Sequence, residues 1–86
     1  MAFLSDATLE VIPITLNGAP YNYTGDPGAS LEDLVHSLGL KPQEVVVEQN
    51  GSLHKDPNLK AAILTANDTV EVIHFIGGGS PTFVVV

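Results

Sequence analysis

No cysteine occurs in this sequence. Disulfides, thiolate metal sites and a cysteine nucleophile are excluded together. Basic residues are almost as scarce. Lys41, Lys55 and Lys60 are the only three and are scattered, so the clustered positive footprint of a nucleic-acid binder is missing. Ten acidic residues against those three give a formal charge of -7, a balance that favours solubility or attraction to a basic partner surface. No run approaches the roughly 18 apolar residues of a membrane-spanning helix. Met1-Ala2-Phe3-Leu4-Ser5-Asp6 lacks the basic start and long apolar run of a secretory signal. A cytoplasmic location is therefore expected, with the Asn-x-Ser/Thr triplets at Asn22, Asn50 and Asn67 read as turn sequences. Catalytic sets are missing too. His36, His54 and His74 show no metal-ligand spacing and read as surface or sheet-edge residues; no serine sits in a nucleophile elbow, and no glycine loop between strand and helix could cradle phosphate. An independent enzyme needs some such set, so the residues predict neither a catalytic residue nor a metal site.

What is present is enough for one small domain: 86 residues, 44% hydrophobic, sufficient for a single modest core. Residues 1–10 show no period and read as a lead-in. From Val11 to Leu16, Ile12, Ile14 and Leu16 share one face, and Pro13 on the other parity predicts an edge position or a strand that begins after it. Asn17-Gly18 is a tight hairpin signal before a second strand, Pro20 to Thr24, which Gly25-Asp26-Pro27-Gly28 ends. Ser30 to Leu38 is the one strong helix, with Leu31, Leu34, Val35 and Leu38 in one stripe. Ser30 and Asp33 fit a capping box, Gly39 is placed to stop the helix and Pro42 bars continuation. Glu44 to Gln49 predicts a third strand with Val45 and Val47 inward and Val46 and Glu48 outward. Asn50-Gly51 turns it into a fourth, Ser52 to Lys55. Asp56-Pro57 reads as an N-cap with proline at the first position of a short helix or turn reaching about Leu64, with Leu59 and Ile63 inward. After the Asn67-Asp68 turn, the last strand sets Val70 and Val72 against Glu71, Ile73 and Phe75. One sheet with a helix across one face buries both stripes.

That last strand stops in Gly77-Gly78-Gly79. Three glycines remove every side chain that could pack, and about 10 Å of extended chain could enter passages that a Cβ would block.

The element order and this ending together resemble the β-grasp, ubiquitin-like sulfur carriers of the ThiS type. The resemblance rests on Ile14-Thr15-Leu16-Asn17-Gly18, Ser30-Leu31-Glu32-Asp33-Leu34, Val46-Val47-Glu48-Gln49-Asn50-Gly51 and, most specifically, the run from Val70 through His74-Phe75-Ile76 to Gly79. It implies an α+β β-grasp fold, a mixed four- to five-stranded sheet with one main helix. The chain as a whole then reads as a lead-in over 1–10, a β-grasp domain over 11–76, a glycine arm over 77–79 and an extension over 80–86. The resemblance further implies a carrier rather than an enzyme. The terminal glycine carboxylate (Gly78-Gly79 here) is adenylated by an E1-like ThiF-type partner using ATP, which the carrier itself does not bind. It then becomes a thiocarboxylate with sulfur from a cysteine desulfurase, and serves a ThiG-type thiazole synthase in thiamine biosynthesis. Ile73, Phe75, Ile76 and Gly77, beside the arm, are the expected docking residues.

This chain departs from the pattern at Ser80-Pro81-Thr82-Phe83-Val84-Val85-Val86, since Gly79 is amide-bonded to Ser80 and has no free carboxylate. The segment reads as a pro-segment, a junction to a fused partner or an added sequence. Within it Thr82-Phe83-Val84-Val85-Val86 is uncharged, β-prone and apolar, so that, if ordered, it should lie against a neighbouring strand or molecule, with Pro81 marking where the extended piece begins. A ubiquitin-like protein modifier and a β-grasp interaction module with a glycine linker are the alternative functions.

Overall fold

The computed structural model describes residues 9–76 and 80–83. Strands β1 (Glu10–Leu16) and β2 (Ala19–Gly25) form a hairpin, followed by helix α1 (Leu31–Ser37). A second hairpin of β3 (Val45–Gln49) and β4 (Ser52–Lys55) leads through a 3-10 turn at Asn58–Ala61 to β5 (Thr69–Ile76) and β6 (Ser80–Phe83). The sheet order is β2-β1-β5-β3-β4. β1 and β5 are parallel and the remaining pairs antiparallel, so the sheet is mixed, with β5 at its centre.

Local sequence explains most elements. Asn17 and Gly18 have φ 50 and 84, and Asn50 and Gly51 have φ 51 and 90, the left-handed pairs that two-residue hairpin turns require and that Asn-Gly accepts. At α1 the capping box forms in full. Ser30 Oγ accepts from the Asp33 N–H at 3.2 Å, and Asp33 Oδ2 accepts from the Ser30 N–H at 2.9 Å. Leu31, Leu34 and Val35 are completely buried against Val47, Val70 and Val72 of the sheet, with Ile12, Ile14 and Leu16 completing the layer.

Three expectations are corrected. β1 is not an edge strand, because β2 lies on one side and β5 on the other. Pro13 is tolerated because it sits at a non-hydrogen-bonded position opposite Asn22, with its nitrogen turned to the side where β5 pairs only with Thr15 and Leu16. The short helix or turn expected to reach about Leu64 is a single 3-10 turn, Asn58–Ala61, which stops at Ala61 and is preceded by Pro57 with no side-chain cap. The chain becomes extended at Ala62, so Leu59 and Leu64 point inward while Ile63, bridged through its backbone to buried Ser30, is 49% exposed. A helical period carried to Leu64 would place Ile63 inside; the early end of the turn reverses it.

Candidate functional site

β5 is the strand that leads to the glycines, and its position is set by residues distant in sequence. Asp68, immediately before it, is buried. Its carboxylate accepts from Gln49 Nε2 at 2.8 Å, Asn50 Nδ2 at 2.9 Å and the Thr65 N–H at 2.8 Å. Burial pushes this carboxyl up, but the hydrogen bonds from Asn50, Thr65 and Gln49 together outweigh it and hold it below its ordinary range. Asn50 Oδ1 in turn accepts from the Thr69 N–H at 2.8 Å, and the Asp68 carbonyl accepts from Thr15 N–H at 2.9 Å. The start of β5 is thereby tied to both hairpins.

Val70 and Val72 face α1 with no exposure, so Ile73 and Phe75 lie on the opposite face of the sheet. They are half-buried there, less exposed than parity alone implies. On that face Val46 pairs across from Ile73 and Lys55 across from Val46. Phe75 borders an open groove of about 340 Å³ whose walls include Pro42, Val46, Lys55 and Asp56. Exposed Leu53 extends the apolar strip on β4. Ile76 ends β5 and pairs with Ser80; Gly77, Gly78 and Gly79 lie outside the described residues, as do Val84 to Val86.

One feature of this face is not evident from the sequence. Glu48 and Glu71 stand directly opposite each other on β3 and β5, both half-buried. Like charges in that relation oppose strand pairing, and they flank Ile73 with negative charge. His74, on the helix-side parity, is half-buried on an interior strand and not at an edge; its Nε2 lies 3.3 Å from Glu44 Oε1. His36 is exposed and His54 half-buried on edge strand β4. Among the described residues no group of three or more His, Asp or Glu could hold a metal ion, and no helix is long and apolar enough to cross a membrane.

A mixed sheet gripping one helix, with its central strand running out into glycines, defines a ubiquitin-like β-grasp domain. Such a domain has one sheet face covered by the helix and the other left open. The chain belongs to the ThiS family, whose model matches residues 14–79. It is 32% identical over 66 residues to the sulfur carrier protein ThiS of Bacillus subtilis (strain 168), covering 77% of this chain and 98% of that protein. It is 42% identical over 66 residues to a thiazole synthase of Magnetococcus marinus, again across 77% of this chain but only 20% of that protein. The chain thus spans a fifth of that longer relative. The crystal structure of the thiamine biosynthesis protein (ThiS) of Geobacter metallireducens superposes with a TM-score of 0.65 at 29% identity, covering 79% of this chain and 100% of that one.

Proposed function

We propose that this chain is a sulfur carrier of thiamine biosynthesis that works through the carboxyl group of Gly79. The observation that carries this reading is where the family match ends: it runs to residue 79, the third glycine, and leaves Ser80 onward outside. A glycine carboxylate is a poor electrophile. An E1-like adenylyltransferase would join it to AMP from ATP, releasing pyrophosphate. Persulfide sulfur from a cysteine desulfurase would then displace AMP to form an acyl disulfide, whose S–S bond a thiol reductant would cleave to leave the thiocarboxylate and a disulfide. That tethered nucleophile would deliver its sulfur to the substrate of a thiazole synthase and, taking an oxygen from that substrate or from water in exchange, return as the carboxylate. The similarity to part of a thiazole synthase chain supports that enzyme as the consumer.

The carrier supplies recognition and reach, and ATP is used by the partner. Ile73 and Phe75 would be docking anchors, with Ile76 and Gly77 leading the arm into the partner's site. The carboxylates of Glu48 and Glu71 favour a basic rim around that site. All three enzymes are cytoplasmic in this reading, and so is the carrier.

Gly79 must be freed from Ser80 before any of this can begin. The 86-residue chain and a chain ending at Gly79, each incubated with an E1-like adenylyltransferase and ATP, should differ completely in pyrophosphate release. Only the shorter chain should support it, and once a cysteine desulfurase, cysteine and a thiol reductant are added, mass spectrometry should find sulfur in place of one terminal oxygen. Equal release from an untrimmed 86-residue chain would refute the role of Gly79.

A further inference from the structure

The backbone groups of β5 point to a use for its second edge. Alternate residues of a strand turn their N–H and C=O to opposite edges. On β5 the even-numbered residues face β1. The Val70 carbonyl accepts from the Asn17 N–H at 2.9 Å, and the Val72 N–H donates to Asn17 Oδ1 at 2.8 Å. β1 ends at Leu16, paired with Val70, so it does not reach His74 and Ile76, the next two residues along that edge. β6 takes over there, with Thr82 opposite His74 and Ser80 opposite Ile76. Ile73 pairs with Val46 on β3 and also with Phe83 on β6, which places the two strands on opposite edges of β5.

The register also suits the proline. Pro81 falls opposite Phe75, an odd-numbered residue whose polar groups face β3, so the Pro81 nitrogen is turned away from β5 and no ladder bond is lost. A slip of one residue would bring the proline into the ladder.

We propose that the β5 edge from Ile73 to Ile76 is a strand-accepting site and that its occupant is this chain's own Ser80–Phe83. Three residues separate Ile76 from Ser80, a common length for a hairpin connection. A tether that short holds the occupant at high effective concentration. While it is docked, no other extended backbone can pair with this edge, and β5 is paired on both edges as far as His74. Cleavage after Gly79 releases the tether and opens the edge to a competing strand. The inference rests on the pairing register and stands apart from the carrier chemistry.

Amide hydrogen exchange tests it without any partner enzyme, so its failure and the failure of the carrier role are separable. In a chain ending at Gly79 the His74 and Ile76 amides should exchange at least roughly tenfold faster than in the 86-residue chain, while Glu71 and Ile73, facing β3, keep their rates. Thr82→Pro in the 86-residue chain removes the N–H that faces His74 and should give the same acceleration; Thr82→Ala should not. Unchanged His74 and Ile76 exchange in both the shortened chain and Thr82→Pro would overturn the proposal. So would an acceleration spread equally to Glu71 and Ile73.

Discussion

Asp68 shows how much a single side chain does in this small domain. It joins the β3–β4 turn through Asn50, the end of β3 through Gln49 and the loop before β5 through Thr65. Asn would keep its size but place an amide where donors already converge. Asp68→Asn should therefore cost about 1–3 kcal/mol, the usual penalty for leaving buried donors unpaired. The pH dependence follows from the direction of the shift. The folded-state carboxyl is held below its unfolded value, so its contribution is fully present above about pH 4 and is lost as pH falls through the lowered folded value. Melting temperatures of the two proteins should differ at neutral pH and converge below about pH 4. A gap that stays constant to low pH would show that ionisation of Asp68 plays no part.

At the scale of elements, β3 and β5 combine a favourable inner face with an unfavourable outer one. Inward, Val47 meets Val72 with neither exposed; outward, Glu48 meets Glu71. Replacing one charge should relieve the repulsion. Glu71→Gln is expected to raise stability by about 0.2–1 kcal/mol, the range of cross-strand pair effects. It should also slow association with a basic adenylyltransferase surface at low salt, and much less at high salt. Denaturant unfolding and association rates at two ionic strengths measure both effects. A loss of stability would mean that the two carboxylates are not working against each other.

For the whole molecule, the two faces of the sheet separate folding from recognition. Leu34, fully buried on the inner face of α1, should cost about 2–5 kcal/mol when truncated to Ala, a large share of a small domain's total. Phe75, half-buried beside the groove on the other face, should cost on the order of 1 kcal/mol. In a chain ending at Gly79, Phe75→Ala should nonetheless raise the KM of the adenylation step for the carrier severalfold. If Phe75→Ala destabilised as much as Leu34→Ala while adenylation kinetics held, the aromatic would be a core residue and not an anchor.

What the amino-acid order determines alone is the set of local choices. Two Asn-Gly turns need positive φ, a Ser30–Asp33 box caps a four-residue apolar stripe, and period-two valines make β3 and β5. Each is decided by neighbours within about four positions, and each is found in the structure. The glycine run and the β-prone character of the segment after it are equally local, and the backbone pairing of Ser80–Phe83 with β5 agrees with that reading. What only the tertiary structure decided are relations across longer separations. Gln49 and Asn50 reach Asp68 over 19 and 18 residues, and Asn17 reaches Val72 over 55. The opposition of Glu48 to Glu71 is a matter of strand register, and the exposure of Ile63 one of where a short turn stops. These depend on which strands become neighbours. That is settled by burying the helix stripe and the sheet valines together, a collective gain that no short stretch of sequence carries.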